Sequence, residues 1–219
     1  MKSSWKWNLA QKLEFNWWKG YLKKSNKEDY IEYKRQYWKV FLKSIGIDFK
    51  DLNGLTIYDI GCGPAGIFTI FEQSNVMAID PLLDQYNAKL SIFQKSNYPW
   101  VQFHESIIET FKFNQQADIV FCLNVINHVI DIPTTLLNLN RANKLNGEFI
   151  VSTDAHNFKL LKWVFQLFPG DVLHPHQHSK EEYRTFIENA GFTIHEEICI
   201  NRAFIFSYIV FKATKSESI

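Results

Sequence analysis

The sequence predicts an α/β fold: a doubly wound, parallel sheet with helices on both faces. Three observations carry that expectation. From Leu52 onward, short runs of strand composition alternate with runs of helical composition, and parallel strands need a crossover between them that is usually helical. Gly61, Gly63 and Gly66 then follow an apolar run (Leu55-Thr56-Ile57-Tyr58) with the spacing G-x-G-x-x-G, at a strand-to-helix turn of a βαβ unit. Finally, a second apolar run, Asn75-Val76-Met77-Ala78-Ile79, ends in Asp80, nineteen residues after Gly61.

Taken in order, residues 3–24 place Trp5, Leu9, Leu13, Trp17 and Tyr21 at i, i+4 spacing, one stripe along a helix. Ser25-x-x-Glu28 has the form of a capping box for a second helix. Its stripe is Tyr30, Tyr33, Tyr37 and Phe41, with Trp38, Leu42 and Ile45 beside it and Gly46 as the C-terminal cap. Strand composition then predicts strands at Leu55–Ile60, Val76–Asp80, Trp100–His104, Asp118–Leu123 and Glu148–Thr153. Helices are expected over Ala65–Gln73, where Pro64 suits the first turn, and over Leu82–Gln94. Another begins at Asp131-Ile132-Pro133, because Asp caps and Pro tolerates the first turn. Phe158–Phe168 is read as helical, and Ser179-x-x-Glu182 is a capping box for a helix that ends at Gly191. Phe192–Ile200 and Ala203–Lys212 read as a hairpin around Asn201-Arg202, with the last residues, Thr214–Ile219, disordered.

The chain of 219 residues fits one domain with an extension, divided here as residues 1–50 and 51–214. Its 24 basic and 23 acidic residues argue against a broad nucleic-acid footprint. Cys62, Cys122 and Cys199 lie far apart without metal-ligand spacing, as reduced thiols of a cytoplasmic protein do. The amino terminus has no apolar signal core and no apolar run reaches the length of a membrane span, so no membrane partner is expected. Patterns for a serine-hydrolase elbow, a zincin, a dithiol pair or a P-loop do not occur, and no Tyr-x-x-x-Lys pair follows the fifth strand.

Asp59, directly before the dipeptide that opens the glycine turn, separates two ligand classes. Its carboxylate would repel a pyrophosphate and attract an ammonium group. Together with an acid at Asp80 able to take ribose hydroxyls, this favours S-adenosylmethionine over a dinucleotide. Here the chain resembles the class I S-adenosylmethionine-dependent methyltransferases, which have a Rossmann-like fold. The matching stretches are Asp59-Ile60-Gly61-Cys62-Gly63-Pro64-Ala65-Gly66, Asp80, Asp118-Ile119-Val120-Phe121 with Asn127-His128-Val129, and Leu145-Asn146-Gly147-Glu148-Phe149-Ile150-Val151, within roughly residues 54–212. The resemblance implies a seven-stranded, mostly parallel sheet ending in an antiparallel hairpin, preceded by amino-terminal helices that often close over the acceptor.

The same resemblance assigns candidate roles. Asp59 would reach the methionine ammonium, Gly61, Cys62 and Gly63 would line the methionine and ribose, and Asp80 with Pro81 would hold the ribose. Ser106 and Ile107 after strand three and Leu123 and Asn124 after strand four complete the cofactor set, although the residue facing the adenine amino group stays open. His128 is the candidate base, with the alternative that it is a helix-terminal or core histidine. A base is needed only where the acceptor must lose a proton. Asn127, His174, His176 and Tyr21 are expected at the acceptor. If locally extended, His174, His176 and His178 would point the same way, as a metal face, a polar acceptor pocket or a plain polar loop. No metal site is assigned. The expected activity is methyl transfer to an oxygen or nitrogen of a small molecule by a monomer or homodimer. The alternatives are an enzyme that turns the cofactor on itself and releases methylthioadenosine, and a non-catalytic cofactor-binding scaffold.

Overall fold

In the computed structural model, residues 5–22, 26–157, 176 and 178–216 are described below. They form one seven-stranded sheet in the order β3-β2-β1-β4-β5-β7-β6. The strands are β1 (Thr56–Ile60), β2 (Asn75–Asp80), β3 (Val101–Glu105), β4 (Ala117–Leu123), β5 (Asn143–His156), β6 (Phe192–Arg202) and β7 (Phe206–Lys215). β1 to β5 are parallel, whereas β7 runs antiparallel to both β5 and β6. The order reverses between β1 and β4, so the loops after these strands diverge and open a crevice at their carboxyl ends.

Both faces are covered, by α1 (Trp5–Leu22), α2 (Lys27–Ser44) and α3 (Leu83–Lys89) on one side and α4 (Ile132–Ala142) and α5 (Lys180–Asn189) on the other. The alternation of the strands puts Ile57, Ala78 and Phe121 into the first core with Phe15, Phe41 and Leu42 of the amino-terminal helices. Tyr58, Ile79 and Val120 enter the second with Leu136, Leu139 and Ile187. The starts of α2, α4 and α5 each have a side-chain acceptor. Asp131 Oδ1 takes the Thr134 N–H at 2.8 Å, and Ser179 and Glu182 form the reciprocal capping box. For α2 the cap is Asn26, whose side chain takes the Glu28 N–H, one residue after the expected Ser25, which lies outside the described residues.

The expected helix over Ala65–Gln73 does not form. Two short 3₁₀ turns, Gly63–Ala65 and Ile67–Ile70, stand there, separated by Gly66 in extended conformation. Side chains replace the missing helical ladder. Trp38 Nε1 donates to the Ala65 carbonyl (3.0 Å), Trp100 Nε1 to Phe68 (3.1 Å) and Arg35 to Thr69 (2.6 Å). Buried carbonyls need partners, and α2 and Trp100 bring them. The helix after β2 is also shorter than expected, ending at Lys89. The hairpin turns at residues 203–205 rather than at Asn201-Arg202, and β7 continues to Lys215. The expected helix over Phe158–Phe168 lies outside the described residues. Among the described residues no helix is long and apolar enough to cross a membrane.

Candidate cofactor and acceptor cavity

A cavity of about 820 Å³ opens at the switch point, between the carboxyl ends of the strands and the amino-terminal helices. Its floor is the turn after β1. Gly61 and Gly63 have φ of +63° and +56°, the left-handed region that suits glycine. A Cβ on Gly61 would also run into the Val125 side chain in the loop after β4. The Gly61 N–H donates to the Ile79 carbonyl at 2.7 Å, tying this turn to β2.

Asp80 closes the turn from the next strand. Its Oδ2 accepts the Gly63 N–H at 3.0 Å and its Oδ1 the Leu82 N–H at 2.8 Å. Burial pushes this carboxyl up, against the lowering effect of both amides. Asp59 is equally buried, but its carboxylate is turned under the glycine turn, where Oδ2 accepts the Phe68 N–H at 3.0 Å. It is absent from the cavity wall, and burial raises it to about 7. The direct bond of Asp59 is thus to the 66–68 backbone, and its carboxylate does not reach the cavity surface.

Cys62, Pro81, Ser106, Ile107, Leu123, Asn124 and His128 also line the cavity with Gly61, Gly63 and Asp80. Asn124 has φ +58°, and its N–H is held by the Ser152 carbonyl at 3.0 Å and hydroxyl at 3.1 Å. Ser152 Oγ in turn lies 2.7 Å from the Tyr208 hydroxyl, so β5 and β7 together fix the loop that carries His128.

The expected acceptor residues are not gathered there. Tyr21 is on the outer side of α1, 52% exposed and stacked on Trp17. Asn127 is buried beneath its loop rather than facing the cavity. His176 braces that loop from behind, with Nε2 3.0 Å from the Val129 carbonyl and its N–H directed to the Asn127 carbonyl. The His176 and His178 rings stack with centroids 6.1 Å apart, and among the described residues no group of three potential ligands could hold a metal. His174 lies outside the described residues.

The roof of the cavity is made by the amino-terminal helices, but through side chains that only partly coincide with their apolar stripes. Leu9, Leu13 and Tyr21 of the expected stripe are the exposed side of α1, Trp17 is 54% exposed yet also lines the cavity, and Trp7, Gln11, Glu14 and Trp18 face it. Their spacing of four, three and four is itself helical, but mixing polar with aromatic residues hid it from a search for apolar stripes. From α2 come Lys34, Tyr37 and Trp38. The Lys34 ammonium sits over the Tyr37 and Trp38 rings at 4.4 and 4.7 Å. Burial draws it down to about 8, opposed by the charge of Asp59. Asp154 at the end of β5 and Asn201 and Tyr208 from the hairpin supply the remaining wall. Glu109 reaches the rim, where Oε1 accepts the Ile130 N–H at 2.6 Å and holds the approach to α4.

Comparison with known proteins fits this arrangement. A family model described as a methyltransferase domain matches residues 51–191. The ubiquinone biosynthesis O-methyltransferase of Rickettsia canadensis is 35% identical over 114 residues, covering 51% of this chain and 48% of that protein. The Rickettsia felis protein of the same name is 32% identical over 152 residues, covering 65% and 58%. The chain thus spans about half the length of these relatives. Among solved structures, YcgJ from Bacillus subtilis superposes with a TM-score of 0.64 at 16% identity, covering 80% of this chain and 99% of that one. The 1,6-didemethyltoxoflavin-N1-methyltransferase of Burkholderia thailandensis, solved with S-adenosylhomocysteine, gives 0.63 at 15% identity over 99% and 93%. The glycine turn with its acid on β2, the reversed strand order, the closing hairpin and the family match have one conclusion: this chain belongs to the S-adenosylmethionine-dependent methyltransferase family.

Proposed function

We propose that the protein transfers the methyl group of S-adenosylmethionine to a small-molecule acceptor, with oxygen the favoured atom. The observation that carries this reading is the extent of the cavity. Small-molecule sites run to about 300–1,000 Å³, and this one continues past the glycine turn to a second wall of His128, Asp154, Asn201 and Tyr208. That leaves room for an acceptor beside the cofactor. A pocket without acceptor space would favour an intramolecular reaction of the cofactor, and a pocket without the second wall would favour a scaffold. The relatives named as O-methyltransferases support oxygen as the acceptor atom.

In this reading Asp80 holds the ribose, Gly61 and Gly63 let the backbone approach the methionine moiety, and Ser106 and Ile107 flank the adenine. Lys34, the only Lys or Arg among the described residues of the cavity wall, supplies the charge for the methionine carboxylate. Asp59 and Asp80 give the site the negative field that a sulfonium and an ammonium require. Methyl transfer is an in-line displacement, so holding acceptor oxygen, methyl carbon and sulfur in one line does much of the catalysis. His128 takes the proton of a hydroxyl acceptor as its oxygen attacks, and S-adenosylhomocysteine leaves.

Calorimetry with S-adenosylmethionine and S-adenosylhomocysteine, followed by mass spectrometry of the incubated cofactor, tests the class of reaction. Both should bind, and the cofactor should survive until phenols or catechols are supplied. Release of methylthioadenosine without acceptor would refute methyl transfer. With an acceptor found, His128→Ala should lower kcat by about 100-fold or more while leaving cofactor affinity within a few-fold. Equal losses in both would remove it as the base.

A further inference from the structure

We propose that Glu14, carried by α1, is a second carboxylate for the cofactor ribose: it takes one ribose hydroxyl while Asp80 takes the other, and this shared grip latches α1 over the bound cofactor. The inference rests on the reading of Asp80 as a ribose ligand.

The placement follows from a short chain of contacts. Asp80 Oδ2 accepts the Gly63 N–H at 3.0 Å. Above Gly63 lies Trp18, whose Cζ2 would be 3.7 Å from a Cβ built on that glycine. Glu14 precedes Trp18 by one turn of α1 and faces the same cavity as Asp80. From below, the Tyr86 hydroxyl donates to Glu14 Oε1 at 3.4 Å, and Tyr86 stands on α3, the helix that begins just after Asp80. Two carboxyls from different elements therefore converge on one end of the cavity.

Their chemistry asks for donors. An ionised carboxylate offers about four acceptor sites. On Glu14 the Tyr86 hydroxyl fills one, at a long distance, and Trp18 is a second donor. Burial and the charge of Asp80 both push Glu14 upwards, the sign of an acid short of positive or donor partners. A vicinal diol brings two O–H donors and no negative charge. It would serve both carboxylates at once, and the ribose is the part of the cofactor that the reading of Asp80 already places at this end of the cavity. Gln11, one turn earlier on the same face, extends the polar character of this roof.

The test is a cycle between side chain and ligand hydroxyl, by calorimetry on the full chain. S-adenosylhomocysteine is compared with its 2′-deoxy and 3′-deoxy analogues on wild type, Glu14→Gln, Glu14→Asp and Asp80→Asn. Glu14→Gln should weaken S-adenosylhomocysteine by about 10-fold or more, as loss of a charged acceptor does. The penalty should shrink to about threefold or less for one deoxy analogue only, and Asp80→Asn should show the same pattern with the other. Glu14→Asp, with the charge kept but withdrawn, should fall between. A Glu14→Gln penalty equal for all three ligands, or none at all, overturns the inference and leaves Glu14 as a helix-packing residue. If Asp80→Asn still discriminates between the analogues in that case, the ribose reading of Asp80 survives. If it also fails to discriminate, that reading falls with it.

Discussion

The two walls of the cavity are built from different materials. The sheet wall is largely backbone: left-handed glycines, amides aimed at Asp80, and a turn pinned to β2 through Gly61. The helical wall is side chain, with Trp7, Glu14 and Trp18 from α1 and Lys34, Tyr37 and Trp38 from α2. A backbone wall tolerates little change, because its shape depends on dihedral angles that few residues adopt. A side-chain wall can be re-lettered position by position while its helices keep their place. The sheet wall therefore suits a fixed floor for the ligand, and the helical wall suits adjustable contacts that close over it.

Substitution at the floor should show that difference most strongly. Gly61→Ala puts a Cβ at φ +63°, which costs roughly 1–2 kcal/mol, and drives it into Val125 in the loop that also carries His128. S-adenosylhomocysteine binding should fall by about 100-fold or more, measured by calorimetry, with far-UV circular dichroism retained. Affinity within threefold of wild type would mean that the sheet wall is not the binding wall.

Asp80 stands second, because two amides of that backbone wall lean on its carboxylate. Asp80→Ala leaves the Gly63 and Leu82 amides without their charged acceptor. Each such bond is worth about 1.5–3 kcal/mol, and water from the cavity will replace part of it. The expected loss is about 2–3 kcal/mol in denaturant unfolding together with about a 30-fold or greater loss of cofactor affinity. A drop in affinity with unchanged stability would show that the turn holds its shape alone.

The same contrast decides what could be read beforehand. The parallel strands, the glycine turn, Asp80 and the capping box at Ser179 were legible, since each rests on a local rule about residue type and spacing. The missing helix at Ala65–Gln73 was not. Its sequence is helix-compatible, and what displaces it is distant: Arg35 and Trp38 of α2, Trp100 before β3, and the Asp59 carboxylate beneath. The inner face of α1 was missed for a related reason. Leu9, Leu13 and Tyr21 belong to the more apolar stripe yet stay exposed, with only Trp17 of that stripe reaching the cavity among its described side chains, while the face with Gln11 and Glu14 turns inward because it lines that cavity. Hydrophobic periodicity finds faces that pack against a core and overlooks faces that meet a ligand. Tyr21, taken from the apolar stripe, lies outside the helical wall, and His176, taken from a locally extended run of histidines, lies behind the loop it supports.

The smallest effect tests the charge that the two walls share. Asp59 beneath the floor is raised to about 7 by burial, and Lys34 in the roof is lowered to about 8. Between about pH 4 and 7 the folded, unliganded protein retains a proton on Asp59 that the unfolded chain has released. Stability of the free protein therefore falls as pH rises through that window. A cationic cofactor favours the ionised carboxylate, so its binding expels that proton and affinity climbs with pH until about 7. Above about 8 Lys34 becomes neutral and the methionine carboxylate loses its counter-charge. Affinity should thus peak between pH 7 and 8, rising about three- to tenfold from pH 6. Calorimetry in buffers of different ionisation enthalpy reads the proton count directly. Asp59→Asn should make the acid limb shallower, leaving the part that Glu14 and Asp80, also raised by burial, contribute, and should spare the alkaline limb. Lys34→Met should remove the alkaline limb and spare the acid one. A profile unchanged by either variant would separate the field of these two groups from cofactor binding, and the walls would then act by shape alone.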